Sequence, residues 1–268
     1  MKNLILVEFG APSDQNELRE FLHNLHGRDP GIPELESASR KYVLSGGSPI
    51  RSKMQALRER LAGILDASVD YAFLYNKPYL ADVVDASIRS GFKDIVILPL
   101  FTFYSRRTSM DIDKCANRDA KIKVVQAYKI PCLADVWGNR LKSDINGLRD
   151  FMVVFTAHSI PASESDQYAE SFRALAKKIS ASAGCTNYIT GFQNSRRGWL
   201  GPSIYDLQPG PARNIVVVPL SFLLTNMEIL YDLDIEYSQH IKQTGHTYIR
   251  SGPPDEGYEL PACLASVV

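Results

Sequence analysis

Three strand-like segments recur in the same order in the two halves of the chain, and this repetition limits the possible folds more than any other feature. Each segment is a short apolar run that ends in polar or turn-forming residues. The pairs are LILVEFGAP (residues 4–12) with FMVVFTAHSIP (151–161), YAFLYNKP (71–78) with NYITGFQNS (187–195), and IVILPLFTFYS (95–105) with IVVVPLSFLLT (215–225). The sequence therefore predicts one structural plan that is built twice.

Helix-like patterns separate these strands. SPIRSKMQALRERLAGIL (residues 48–65) lies between strands of the first half, and DQYAESFRALAKKISASAG (166–184) lies between strands of the second. Apolar strands that alternate with amphipathic helices are typical of parallel sheets covered on both faces. We therefore predict an α/β fold with two Rossmann-like halves, residues 1–140 and 141–268, each a parallel β-sheet flanked by helices, and an active-site cleft between them. Packing of the final segment back on the first half is left open.

The net charge and the length of the apolar runs limit what the protein can bind and whether it can span a membrane. Thirty basic and thirty acidic residues give a formal net charge of zero, which argues against a nucleic-acid partner. No run approaches the roughly 18–20 apolar residues that a spanning helix needs, and the opening MKNLILVEFG has a strand-like pattern rather than that of a signal peptide. We expect a cytoplasmic protein, a monomer or a homodimer, with no transmembrane segment. Peripheral membrane contact is left open.

The cysteines show no metal-binding pattern. Cys115, Cys132, Cys185 and Cys263 are scattered, without C-x-x-C spacing. This arrangement fits neither a zinc site nor a sequence-evident iron–sulfur cluster. We expect four reduced thiols with mainly structural roles.

A row of carboxylates follows the last strand-like segment. Glu228, Asp232 and Glu236 are four residues apart in a helix-like segment, so they share one face. Like charges at this spacing repel one another, and the arrangement is favourable where cations visit the row. The row indicates a route for metal ions or protons, and the alternative is an exposed acidic helix face that binds nothing.

His158 is the second candidate for chemistry. It ends the strand-like segment VFTAHSIP, and its imidazole has an ordinary pKa near neutrality. Because ligands of parallel sheets bind beyond the carboxyl ends of the strands, the turns after Phe9, Phe103 and Phe222 should converge with His158 on the cleft. His158 and Glu228 would then bind a divalent cation or share proton transfers. A purely structural histidine is the alternative.

Other segments could line the same cleft. The loop GFQNSRRGWLGPS (residues 191–203) suits a flat, partly anionic ligand, although Trp199 could equally serve packing. Ser48, in LSGGSPI, precedes a helix and could seat an anion, but the segment lacks the ending of a phosphate-binding loop. Four apolar residues form a helical stripe that indicates core packing or a lip over a hydrophobic ligand or membrane: Leu18, Phe21, Leu22 and Leu25.

Six motifs in order resemble the ferrochelatase family over nearly the whole chain. They are FGAP (9–12), GGSPI (46–50), LPLFTFYS (98–105), TAHSIP (156–161), GFQNS with WLGP (within 191–202) and LSFLLTNMEILYDLDIEY (220–237). The resemblance implies two Rossmann-like halves with the porphyrin between them. It also implies a lyase-class metal chelatase of haem biosynthesis, which inserts Fe²⁺ into protoporphyrin IX or coproporphyrin III and releases two protons.

The same resemblance implies roles for individual residues. His158 and Glu228 match the catalytic pair beside the porphyrin and are also metal ligands. Asp232 and Glu236 match an acidic line that conducts metal or protons along a helix of π geometry. Fe²⁺ is a substrate, so no cofactor is implied, although the acidic row could hold an accessory divalent cation. The substrate-binding residues are expected to be Phe9, Ser48, Arg51, Tyr75, Trp199 and Phe222.

Three positions depart from the family's pattern. Lys77 and Asn226 stand where many members have a histidine, and Phe9 stands where the coproporphyrin-using branch often has a tyrosine that can ligate iron. The porphyrin is therefore left open. The alternative functions are a chelatase for another metal or tetrapyrrole and a porphyrin- or haem-binding protein without turnover.

Overall fold

The computed structural model describes residues 2–10 and 12–268; Ala11, within the first motif, lies outside the described residues. The first half contains β1 (Lys2–Glu8), α1 (Gln15–His26), α2 (Ile32–Leu44), α3 (Ile50–Ala62), β2 (Ser68–Phe73), α4 (Leu80–Arg89), β3 (Asp94–Pro99), α5 (Arg106–Ala116) and β4 (Lys121–Val124). The remainder contains α6 (Leu133–Ile145), β5 (Phe151–His158), α7 (Tyr168–Ala183), β6 (Tyr188–Gln193), β7 (Asn214–Pro219), a π-helix (Ile229–Tyr237), α8 (Ser238–Gln243), β8 (Thr247–Arg250) and α9 (Glu259–Ala265).

The strands form two parallel four-stranded sheets with the same topology. Their strand orders are β2-β1-β3-β4 and β6-β5-β7-β8. In the central strand β1, the four residues from Leu4 to Val7 are fully buried, as expected for a parallel strand covered on both faces. The prediction of two parallel sheets flanked by helices is confirmed.

The pairing register makes the two halves comparable residue by residue. Val7 of β1 pairs with Pro99, the last residue of β3, and Thr156 of β5 pairs with Pro219, the last residue of β7. The residues that follow Val7 and Thr156 therefore hold equivalent places at the carboxyl edge of each sheet. These equivalent pairs are Glu8 with Ala157, and Phe9 with His158.

One hydrophobic core joins the halves. Leu4 and Leu6 of β1 and Val153 and Phe155 of β5 belong to the same cluster of buried residues. Helix α9 packs against α3 of the first half and against α6. The boundary at residue 140 falls inside α6, and the division into 1–140 and 141–268 stays a prediction.

Two cysteines are joined in a disulfide. Cys132 precedes α6, Cys263 lies in α9, and their Cα atoms are 5.7 Å apart across a sequence separation of 131 residues. The expectation of four reduced thiols is wrong for this pair and holds for Cys115 and Cys185. Sequence spacing gave no sign of the disulfide, because only the packing of α9 against α6 brings the two residues together.

Candidate active site

A cavity of about 380 Å³ lies at the carboxyl edges of both sheets. The segments that follow β3 and β7 are hydrogen-bonded to each other at its base. The Thr102 N–H donates to the Ser221 carbonyl at 2.8 Å, and the Leu223 N–H donates to the Leu100 carbonyl at 3.1 Å. Both halves thus contribute residues to the wall of one cavity.

His158 and Glu228 meet at this cavity. His158 is the last residue of β5, and its backbone is held by hydrogen bonds to the Ser221 hydroxyl (2.7 Å) and from the Tyr168 hydroxyl (2.8 Å). Glu228 precedes the π-helix, and its Oε2 lies 3.3 Å from His158 Nδ1. The two side chains form an ion pair whose members are 30% and 37% exposed. The structure brings these two residues together, and their roles stay predictions.

The ionisation of the pair favours imidazolium beside carboxylate. Burial lowers the pKa of His158, but the charge of Glu228, its hydrogen bond and the charge of Asp232 together outweigh burial, and the net pKa lies above its usual value. Burial raises the pKa of Glu228, but His158 and Lys41 outweigh burial and the net pKa lies below its usual value. Each partner thus stabilises the charged form of the other.

The acidic row runs from the cavity to the surface. Glu228 lines the cavity, Asp232 is 4% exposed, and Glu236 is exposed. The residues from Ile229 to Tyr237 form a π-helix, which confirms the geometry that the resemblance implied. No group of three or more His, Cys, Asp and Glu side chains within residues 2–10 and 12–268 is arranged to hold a metal ion. The row is therefore a series of separated carboxylates.

Lys41 of α2 contacts the row at its middle. Its ammonium lies 2.9 Å from Asp232 Oδ1, and Asn194 Nδ2 donates to Asp232 Oδ2 at 2.8 Å. Burial raises the pKa of Asp232 and the charge of Glu228 adds to this, while Lys41 opposes both. Sequence reasoning missed Lys41, because 191 residues separate it from Asp232.

Aromatic side chains form the walls of the cavity. The ring of Phe9 lies 4.3 Å from that of Phe101 and 5.9 Å from that of Tyr75, measured between ring centroids. Phe222 and Trp199 also line the cavity. Four of the expected substrate-binding residues, Phe9, Tyr75, Trp199 and Phe222, thus surround one space.

The polar substrate-binding candidates divide into two groups. Ser48 lines the cavity, but Arg51 does not. The Arg51 guanidinium donates to the Lys77 carbonyl at 3.2 Å and lies 5.2 Å from the centroid of the Phe73 ring. Two other arginines do line the cavity: Arg107, which sequence reasoning missed, and Arg196, whose guanidinium lies 3.7 Å over the Trp199 ring.

The remaining sequence candidates have different environments. Asn226 lines the cavity and accepts a hydrogen bond from the Ile229 N–H at 3.1 Å, and Lys77 is exposed. Of the apolar stripe on α1, Leu18 and Leu22 are buried, whereas Phe21 and Leu25 line the cavity. In the part of the chain that the structure describes, no helix is both long and apolar enough to cross a membrane.

The fold is similar to that of chelatases of known structure. CbiX, the terminal enzyme for the biosynthesis of sirohaem in denitrifying bacteria, superposes with a TM-score of 0.61 at 18% identity, covering 98% of this chain and 96% of that one. The sirohydrochlorin chelatase SirB from Bacillus subtilis subspecies spizizenii, in complex with cobalt, gives 0.62 at 11% identity, covering 99% and 92%. At these identities the similarity shows the fold alone, which is of the chelatase type.

Sequence similarity is more specific. The model of the ferrochelatase family matches residues 2–268. The ferrochelatase of Thermoplasma volcanium is 31% identical, over 99% of this chain and 91% of that protein. The coproporphyrin III ferrochelatase of a Geobacillus species is 27% identical, over 99% and 96%. The chain therefore belongs to the ferrochelatase family, whose members are lyase-class metal chelatases, and the resemblance carried by the six motifs is confirmed.

Proposed function

We propose that this protein inserts Fe²⁺ into a porphyrin, with release of two protons, as a ferrochelatase of haem biosynthesis. The observation that carries the proposal is the 3.3 Å pair of His158 and Glu228 in an aromatic-walled cavity between the halves of a ferrochelatase-family chain. Aromatic walls suit the faces of a flat macrocycle. The pair supplies a base and a negative charge for the reacting centre.

The chemistry follows from the ionisation of the pair. Glu228 is held as a carboxylate, so it attracts the incoming dication. The raised pKa of His158 keeps it as imidazolium until a cation approaches, and its neutral form can then remove a pyrrole N–H proton. As positive charge enters beside it, the imidazolium passes its own proton to water in the cavity, and the neutral imidazole then accepts one from the porphyrin.

Asp232 and Glu236 would conduct cations or protons between Glu228 and the solvent. Their burial supports this order, since Asp232 is 4% exposed and Glu236 is exposed. Lys41 forms an ion pair with Asp232, so a passing metal ion would have to displace its ammonium. An accessory divalent cation on this row would compete with Lys41 in the same way.

The acidic substituents of the porphyrin would meet cations at the cavity. Arg107 and Arg196 both line it and carry guanidinium groups suited to carboxylates, and Ser48 adds a hydroxyl. Arg51 is less suitable, because it is not among the residues that line the cavity. Ferrochelatases and coproporphyrin III ferrochelatases are both among the relatives, so the assay must include both porphyrins.

The test is a metallation assay under anaerobic conditions with Fe²⁺, and in parallel with Zn²⁺, on protoporphyrin IX and coproporphyrin III. We expect turnover by the wild type and a loss of at least about 100-fold in His158→Ala, the usual size of a general base's contribution. Glu228→Gln should abolish insertion, whereas Asp232→Asn and Glu236→Gln should mainly change the dependence on metal concentration. Equal losses in all three carboxylate variants would contradict the proposed order along the row.

Two alternatives are separated by the same assay. Insertion of Co²⁺ into sirohydrochlorin with no activity on either porphyrin would identify a chelatase of the kind that shares this fold. Tight porphyrin binding without metallation would identify a binding protein, the function that Lys77 and Asn226 at the family's histidine positions favour.

A further inference from the structure

Glu8 is a buried carboxyl that lines the cavity and has no part in the reaction described above. It is the last residue of β1, is 2% exposed, and shares the cavity with His158 and Glu228. Its Oε2 accepts a hydrogen bond of 3.3 Å from the Phe9 N–H, and no described residue donates a hydrogen bond to its Oε1. An unpaired buried carboxyl oxygen costs free energy, so its presence calls for a role.

Packing does not require a carboxyl at this position. Glu8 lies on the same face of β1 as Leu4 and Leu6, and both leucines belong to the core that the two halves share. The equivalent residue of the second half is Ala157, which is fully buried in the same core. A methyl group thus satisfies the packing at this edge of one sheet, while the other sheet carries an acid.

The surroundings of Glu8 bring the pKa of its carboxyl group close to neutral pH. Burial raises the pKa of Glu8 to about 8; the hydrogen bond from Phe9 opposes this shift and the charge of Glu228 adds to it. A dication beside Glu228 would offset the repulsion between the two carboxylates and so favour ionisation of Glu8. A carboxylate with such a pKa is a better proton acceptor than an exposed one.

We propose that Glu8 is a catalytic residue that accepts one pyrrole N–H proton of the porphyrin, while His158 accepts the other. This role rests on the proposed function. As the dication approaches, Glu8 and His158 first pass their own protons to water in the cavity. One pyrrole proton then converts the Glu8 carboxylate to a carboxylic acid, the second converts neutral His158 to imidazolium, and the porphyrin dianion binds the dication without any change of oxidation state. Both protons then pass to water in the cavity. The two acceptors come from different halves of the duplicated fold.

The test compares Glu8→Gln with a matched control in the same strand. Asn3→Ala removes the other buried polar side chain of β1, which is hydrogen-bonded to Asp70 (3.0 Å) and Ser87 (2.7 Å) at the opposite end of the strand. We expect Glu8→Gln to lower single-turnover metallation by about 100-fold or more, with porphyrin affinity unchanged. Asn3→Ala should keep the wild-type turnover. Wild-type turnover in Glu8→Gln would overturn the role.

Chemical rescue separates proton transfer from packing. Glu8→Ala leaves space for a small carboxylate, so added formate should restore part of its turnover, whereas Glu8→Gln should not respond because its amide fills that space. Failure of formate to rescue Glu8→Ala, with porphyrin affinity lost in parallel with turnover, would assign Glu8 to packing and overturn the proposal. A wild-type protein that metallates neither porphyrin would overturn the proposed function and this role with it, whereas an active wild type with active Glu8 variants overturns the role alone.

Discussion

At the scale of single residues, the pKa values of two glutamates that line the same cavity, Glu8 and Glu228, are shifted in opposite directions. Burial raises the pKa of Glu8, and no cation contacts it among the described residues. Burial also raises the pKa of Glu228, but His158 and Lys41 lower it by more, so its net pKa lies below the usual value. Near neutral pH Glu228 is thus an ionised carboxylate and Glu8 a neutral carboxylic acid. Opposed shifts of this kind are how enzymes assign different proton-transfer roles to the same residue type.

Glu8 should make the stability of the protein depend on pH. Its pKa is about 8 in the folded protein and near 4.5 when exposed, so the folded state binds the extra proton between these values. The contribution of Glu8 to the free energy of unfolding is fully present below about pH 4.5 and is lost as the pH rises through 8. Glu8→Gln should therefore be more stable than the wild type at pH 8, by an amount on the order of a few kcal/mol that shrinks towards pH 5.

Urea unfolding of both proteins at a series of pH values measures this difference. Wild-type and variant curves that stay parallel from pH 5 to pH 8 would show that Glu8 titrates as an ordinary exposed acid. The comparison needs no porphyrin or metal, so it tests the environment of Glu8 independently of activity.

Only part of the candidate site could be predicted from the sequence. His158 and Glu228 follow strand-like segments, and the topology of parallel sheets brings such positions to one edge. Glu8 lies inside an apolar run and has no sequence neighbour that marks it. Arg107 and Lys41 reach the site from helices of the first half, so only the tertiary structure reveals their positions.

At the scale of secondary-structure elements, a segment could be predicted from the sequence where its burial produces a regular apolar pattern. The central strands are apolar throughout because both faces are covered, and this pattern is visible in the sequence. Helix α2 has no buried residue, so its sequence lacks a clear apolar stripe. It contacts the π-helix through Lys41, whose ammonium pairs with Asp232 and lies 4.8 Å from the centroid of the Tyr231 ring.

Lys41→Met should show whether the acidic row attracts cations. Loss of the ammonium leaves the buried Asp232 carboxylate without its cationic partner, so we expect a loss of roughly 3 kcal/mol in the free energy of unfolding. Millimolar Mg²⁺ should raise the melting temperature of this variant more than that of the wild type, because the metal then meets no competing ammonium.

The double variant Lys41→Met/Asp232→Asn is the matched control. It should recover most of the lost stability and lose the response to Mg²⁺, because the unpaired charge is gone. Thermal unfolding with and without MgCl₂ measures both effects. Equal responses of the wild type and Lys41→Met to Mg²⁺ would argue against a cation site on the row.

At the scale of the whole molecule, the C-terminal segment, which includes α9, makes contacts that connect the two halves. Helix α9 packs against α3 and α6, and the Lys123 ammonium donates to the Val267 carbonyl at 3.3 Å. The disulfide between Cys132 and Cys263 closes a loop across 131 residues of sequence. The duplicated strand pattern predicts each sheet but carries no information on this connection, which depends on contacts between elements far apart in the chain.

Cys263→Ser should destabilise the protein without removing its chemistry. A disulfide that closes so long a loop restricts the unfolded chain and contributes about 2–4 kcal/mol. We expect a lower melting temperature in the variant, and the same decrease for the wild type in dithiothreitol, with no further effect of dithiothreitol on the variant. Turnover at temperatures well below the transition should be retained, because α9 contributes no residue to the cavity lining. Thiol titration of the denatured, unreduced wild type should detect Cys115 and Cys185 alone; detection of four thiols would show that the disulfide does not form.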